Sequence, residues 1–318
     1  MTGLEKKREL EAILYKEVLP LIDRDYVLYG LPYYNNVGDT LIWNGEIELL
    51  KKAPHKCRGV CAWDKYPKNS LPDDIMILVT GGGYFGDLWR RAWQEVLDGL
   101  KPNKNHRIII MPCSIFYEDA AIREQDSVYL AQFPDLTILV RDRASLDYAN
   151  CYFKNKVILV PDMAFCMNED YLRQMSSRSP QKEALFFARK DKEKSTKTFN
   201  IPEKNYDTHD WLPMEKLLPG ELHFNRCMGY AWRIGKISKN WQKKLEHYLY
   251  RKLYRKHMTD TGTAQLANYK RIYTTRLHAM ILAVMLGRPV KFIDNSYGKI
   301  SSYYETWLKD CDIVSPID

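Results

Sequence analysis

Short apolar runs, each closed by turn residues, recur along this chain, and that recurrence most restricts its fold. They lie at Tyr26–Leu31, Arg58–Ala62, Ile75–Thr80, Arg107–Met111, Thr137–Val140 and Val157–Val160. Stretches with helical character separate several of them, at Thr40–Lys52, Trp89–Leu100 and Ala120–Gln132. Strand and helix in alternation predict an α/β fold, a parallel sheet with helices on both faces. Leu4, Leu10, Ile13, Leu14 and Val18 give residues 3–19 a helical spacing as well. Residues 166–182 are polar, with Ser-Ser and Ser-Pro pairs, and read as a linker. Beyond it come strands at Ala184–Ala188, Glu221–Phe224, Arg271–Thr274 and Val290–Ile293, with helices at Asn240–Lys256 and Leu277–Leu286. A chain of 318 residues is long enough for two such units. The expected organisation is a first domain over 1–168, a linker over 169–182 and a second domain over 183–318. The two face each other across a cleft, and the last helix is placed to pack back on the first.

Seven cysteines, an odd number with no CxxC pair, point to free thiols in a reducing compartment. The charged N-terminus is no secretory signal and no run is long enough to span a bilayer, so a cytoplasmic protein is expected. A net charge of +8 suits nucleic acid, an acidic membrane or small anions. No helix-turn-helix, zinc-finger or RNP-type motif supports nucleic acid. No His, Cys or Asp cluster has metal-ligand spacing, and no cofactor is expected.

In an open parallel sheet, ligands bind beyond the carboxyl ends of the strands. After Tyr26–Leu31 comes a loop with Asn36, Gly38 and Asp39; after Ile75–Thr80 comes Gly81-Gly82-Gly83, whose bare amides suit an anion. Ser114, Arg141 and Asp162 follow the next three strands. In the second half, the strand Arg271–Thr274 leads into Thr275-Arg276-Leu277-His278, and Val290–Ile293 leads into Asp294-Asn295-Ser296-Tyr297-Gly298-Lys299. If the first of these segments is extended, Arg276 and His278 point the same way. Arg would then hold a carboxylate or phosphate while His moves a proton. The same spacing also fits a His bonded to backbone at a helix start and an Arg in a salt bridge.

Taken together, NNVGDTLIWNG (35–45), LVTGGGYFGDLW (78–89), IIIMPCSI (108–115), LVRDRASLDYA (139–149), VPDMAF (160–165), RLHAMILAVMLGRPV (276–290) and DNSYGK (294–299) resemble the polysaccharide pyruvyl transferases, in that family's order. The resemblance implies two Rossmann-like domains of the GT-B kind. It implies phosphoenolpyruvate as donor and, as acceptor, a sugar of a surface polysaccharide or its lipid-linked precursor, with a cyclic pyruvate ketal as product. The family's RxH motif falls on Arg276 and His278, and its first-domain Arg on Arg141. Thr275 stands where many relatives carry an acid, and Ala279 where they carry Gly. Donor contacts are expected from Arg141, Gly82, Gly83, Ser114, Asn295, Ser296 and Lys299. Acceptor contacts are expected from Asn36, Gly38, Asp39 and Asp162. A GT-B enzyme using a nucleotide-sugar shares most of these features, and a basic scaffold protein would need none of the chemistry.

Residues 226–258 are strongly basic, and Trp241, Leu245, Tyr248, Leu249 and Leu253 fall on one helical face. A basic amphipathic helix over 241–256 suits peripheral contact with the inner face of the plasma membrane. A helix packed on its own domain fits equally.

Overall fold

The structure is a computed structural model and describes residues 1–195, 201–295 and 297–317. Strands β1 (Tyr26–Leu31), β2 (Cys57–Ala62), β3 (Met76–Val79), β4 (Gly82–Gly86), β5 (Ile108–Phe116), β6 (Leu136–Val140) and β7 (Lys156–Leu159) form one sheet. Its order is β2-β1-β3-β5-β6-β7, with β4 added on β5. Strands β8 (Lys182–Phe187), β9 (Tyr206–His209), β10 (Tyr269–Thr274), β11 (Val290–Phe292) and β12 (Val314–Pro316) form a second, in the order β12-β11-β10-β8-β9. Every pairing in both is parallel. The expectation of an α/β protein with parallel sheets holds.

Alternation along the strands sets the layers. Tyr26 and Leu28 of β1, with Met76 and Leu78 of β3, join one core; Val27 and Tyr29, with Ile77 and Val79, join another. Side chains two apart share a face, so a sheet buried on both sides reads as an unbroken apolar run. The first core also takes in Leu185, Phe187, Ile272 and Phe292 of the second sheet, through the helices Val37–Leu50, Arg255–Ala267 and Leu277–Met285.

Three elements differ from the sequence reading. Glu221–Phe224, expected as a strand, lies in the helix Pro219–Gly235. Glu221, Phe224, Met228, Ala231 and Gly235 are its buried positions, spaced at three and four. Pro219 opens it, where a missing N–H costs nothing. The polar segment after 166 includes a helix, Glu169–Ser176, that buries Leu172 and Met175. β4 falls where the sequence predicts only a glycine-rich loop. It pairs with β5 from Gly82↔Cys113 onward, while β3 pairs with β5 only as far as Val79↔Ile110. Pro112, which has no N–H for a ladder, falls in the gap between the two pairings.

Candidate active site

Both sheets reverse their winding direction once, between β1 and β3 in the first and between β8 and β10 in the second. Such points leave a crevice beyond the strand ends. The loops at both border one cavity of about 320 Å³. Tyr34, Asn36 and Asp39 reach it from the loop after β1, and Gly83 and Tyr84 from β4. Arg189, Asp191 and Glu193 come from the segment after β8, Arg276 and His278 from the segment after β10, and Lys299 from the segment after β11. Trp63, Tyr66 and Trp89 form an aromatic part of its wall.

Arg141, the residue after β6, is fully buried. Its NH1 donates to Asp162 Oδ2 at 2.7 Å and its Nε to Ser114 Oγ at 3.0 Å. Ser114 in turn donates to Asp142 Oδ2 at 2.7 Å, so its hydroxyl is spent on orienting the guanidinium. Arg141 NH2 has no hydrogen-bond partner among the described residues. An unpaired guanidinium N–H in the interior is costly, and a buried anion beside it would relieve that cost. The neighbouring space is held open by Gly83. A Cβ there would stand 2.4 Å from Lys299 Nζ and 3.4 Å from Arg141 NH2. Two cationic nitrogens thus converge where a side chain is missing.

His278 lies in the first turn of the helix Leu277–Met285, with Arg276 as the capping residue before it. The two meet at the cavity because a helix starts there, not because the segment runs extended. His278 Nε2 is 3.3 Å from Asp162 Oδ2 and 3.4 Å from Arg141 NH1. Asp162 is fully buried; burial works against its charge, but the His278 and Arg141 charges outweigh this and hold its carboxyl well below the usual range. Gly38 makes room for the ring, since a Cβ there would sit 2.5 Å from His278 Nδ1.

Arg276 is gripped rather than free. Its Nε and NH2 reach both oxygens of buried Asp210, the second at 2.6 Å, and NH2 also lies 3.4 Å from Asp191. The salt-bridge alternative therefore describes two of its nitrogens, and the residue lines the cavity all the same.

Burial, together with the charges of Arg141 and Arg189, lowers the Lys299 amine to about 8 against the opposing pull of Glu193, 3.6 Å away. Glu193 accepts from Arg189 NH2 at 2.7 Å, Trp89 Nε1 at 3.1 Å and Tyr297 OH at 3.0 Å. Burial opposes its charge, yet Lys299 and Arg189 hold its carboxyl down at about 2. Asn295 donates to Glu193 at 3.3 Å and accepts the Lys299 backbone N–H at 2.9 Å, fixing both residues without lining the cavity. Ser296 lies outside the described residues.

Asp39 accepts from Tyr34 OH at 2.9 Å and Asn36 Nδ2 at 2.7 Å, and Asn36 caps its helix through Gly38 N at 2.9 Å. Gly38, Gly82, Ser114, Arg141, Asp162 and Asn295 do not line the cavity; Arg141 stands next to Gly83, which does. Arg189, Asp191, Glu193 and Asp210 are site residues that the sequence reading missed. Looking beyond the strand Ala184–Ala188, as beyond the others, would have reached Arg189.

A family model described as polysaccharide pyruvyl transferase matches residues 36–297, a span holding the site residues named above except Tyr34 and Lys299. The chain belongs to that family. Among its relatives, a Bacillus subtilis (strain 168) protein named "Putative pyruvyl transferase EpsO" is 28% identical, aligned over 95% of this chain and 90% of its own. Pyruvyl transferase 1 of Schizosaccharomyces pombe is 27% identical over 90% of this chain and 70% of its own. The crystal structure of a functionally uncharacterized protein from Klebsiella pneumoniae subsp. pneumoniae NTUH-K2044 superposes with a TM-score of 0.61, covering 100% of both chains at 18% identity, a likeness of fold alone. The expected family membership is confirmed. Among the described residues no helix is long and apolar enough to cross a membrane.

Proposed function

We propose that this polysaccharide pyruvyl transferase takes the pyruvyl group from phosphoenolpyruvate and closes it as a cyclic ketal on a hexose of a surface polysaccharide, or of its lipid-linked precursor. The observation that carries the reading is the unpaired Arg141 NH2 beside Lys299 at Gly83, with His278 Nε2 3.4 Å from the same guanidinium. It is a seat for a compact, multiply charged anion next to a proton carrier.

In this reading Arg141, Lys299 and Arg276 hold the donor's charged groups. His278 protonates the methylene carbon, and positive charge develops on the adjacent carbon. A sugar hydroxyl adds there and returns its proton to His278. Phosphate leaves, a second hydroxyl of the same sugar closes the ring, and that proton departs with the phosphate. Asp162 keeps His278 in place. Asn36 and Asp39 meet the acceptor hydroxyls, and Trp63 and Trp89 offer flat faces to a sugar ring. Two Rossmann-like halves, 1–168 and 183–318 joined through 169–182, would enclose the donor between them in the GT-B manner. A cytoplasmic enzyme at the inner face of the plasma membrane fits a lipid-linked acceptor.

The test mixes purified protein with phosphoenolpyruvate and galactosides, mannosides or lipid-linked sugars, following phosphate release and ketal mass. A ketal that disappears in His278→Ala is expected. Absence of both product and phosphoenolpyruvate binding, with binding of a nucleotide-sugar instead, would replace this reading with glycosyl transfer.

A further inference from the structure

The helices Pro219–Gly235 and Lys239–Leu249 pack as a hairpin whose outer side is uncovered. At its turn Ile237 is 90% exposed; Trp241 is 65%, Tyr230 63% and Trp232 62% exposed. Scattered single apolar residues on a surface are ordinary, but several large ones on one protrusion mark a contact site. The apolar stripe expected from the sequence is divided here. Leu249 is buried and Leu245 and Leu253 half-buried, packed against the core, while Trp241 and Tyr248 turn outward. Trp241, Lys244 and Tyr248 are spaced by three and four and all exposed, so they share one solvent-facing stripe, with the Lys244 ammonium 5.3 Å from the Trp241 ring. Residues 222–256 carry ten Lys and Arg and a single acid, Glu246, in a chain whose formal net charge is +8. Lys236, Lys243 and Lys244 are exposed and pair with no carboxylate among the described residues.

We propose that this hairpin docks on an anionic phospholipid bilayer, with Ile237, Trp232 and Trp241 in the headgroup boundary and the lysines on lipid phosphates. Rings with a polar edge and long amphipathic cations settle at that boundary, and an unpaired cluster of one sign is drawn to an anionic leaflet. The aliphatic tip separates this partner from single-stranded nucleic acid, which stacks bases on rings and gains nothing from Ile237. The hairpin's inner side is tied to the cavity. Glu221 accepts from Asn35 Nδ2 at 2.8 Å, and the Tyr250 ring, just beyond the second helix, stacks on Tyr33 at 3.9 Å. Asn35 and the 42% exposed Met214 both border the cavity. Docking therefore brings this side of the cavity toward the lipid surface. That consequence for a lipid-linked acceptor rests on the transferase reading; the docking does not.

Vesicle flotation tests it without any substrate. Retention on vesicles of phosphatidylglycerol with phosphatidylethanolamine should exceed retention on phosphatidylcholine by at least about tenfold and fall with added salt. It should drop about tenfold in Ile237→Asp/Trp241→Asp and in Lys243→Glu/Lys244→Glu, with unchanged melting temperatures. Should a variant misfold, tryptophan fluorescence of the unaltered protein decides, since brominated lipid would quench an inserted Trp232 or Trp241. The proposal is overturned by equal retention on neutral vesicles, by double variants that still bind, by no quenching, or by stronger binding to poly(U). A solution dimer that shields Trp241 would assign the surface to a second copy instead.

Discussion

Asp162 Oδ2 lies 3.3 Å from His278 Nε2 while also accepting Arg141 NH1 at 2.7 Å, so one buried carboxylate orients His278 from the second half of the chain and Arg141 from the first, the proposed proton carrier and the proposed anion-binding cation. Asp162→Asn is expected to cost about 3–5 kcal/mol, because the Arg141 charge stays buried without its partner. The Asp162 carboxyl is held below its unfolded value of about 3.9, so its contribution is complete above that pH and is lost as pH falls toward the native value. Urea unfolding should show a wide gap between the natural protein and the variant at neutral pH and a narrowing one in acid. A constant gap would mean that the pair's charge is not what stabilises it.

Two glycines separate catalysis from binding. In Gly38→Ala the new methyl meets Nδ1, Cγ and Cβ of His278, so the ring cannot swing aside and must shift bodily. Turnover should fall on the order of a hundredfold, as when a reacting group is displaced by about an ångström. In Gly83→Ala the clash is with the far end of the flexible Lys299 side chain. Folding should survive, and the KM for phosphoenolpyruvate should rise with a smaller effect on kcat. Equal effects of the two substitutions on kcat would refute this division.

The fold was legible where apolar residues keep strict order. β1 coincides with its expected span, and β10 begins two residues earlier than read. β4 was missed because three of its five residues are Gly; only its ladder with β5 beyond Pro112 makes it a strand. ELHF at 221–224 alternates like a strand, and the helical period shows only when Met228 and Ala231 are counted. Arg141, His278 and Lys299 were found by looking past strand ends. Glu193 and Asp210 escaped because their pairings show only in the fold: Glu193 meets Arg189 four residues before it and Lys299 far along the chain, and Asp210 meets Arg276. Polar residues without periodicity give no sign of such pairings.

The grip of Asp210 on Arg276 predicts a graded series. Arg276→Lys keeps the charge but loses the planar fork that spans both carboxylate oxygens, and should weaken donor binding by about tenfold or more. Asp210→Ala leaves the buried guanidinium without its chief partner and should lower unfolding free energy by about 3–5 kcal/mol. Combining Asp210→Ala with Arg276→Met should recover part of that stability and none of the activity. Calorimetric melting and phosphate release measure the two separately. An inactive but fully stable Asp210→Ala would instead give Asp210 a direct role with substrate.

Lys299 is where stability and function oppose each other. Its amine is pushed down to about 8 by burial and by Arg141 and Arg189, despite Glu193, whereas the unfolded side chain titrates near 10.4. The native state thus binds the proton more weakly than the unfolded chain. The charged amine destabilises the fold at neutral pH, and that cost fades as pH rises from about 8 toward the unfolded value. Lys299→Met should raise unfolding stability at neutral pH by about 1–3 kcal/mol, since Glu193 keeps Arg189 as a partner. The same change should weaken phosphoenolpyruvate binding at least about tenfold. In the natural protein donor affinity should fall as pH rises through about 8, and in Lys299→Met this dependence should vanish. Unfolding curves and donor titrations across that range decide it. A variant that binds donor normally would remove Lys299 from the anion seat, and one that loses stability would show that its pairing with Glu193 outweighs burial.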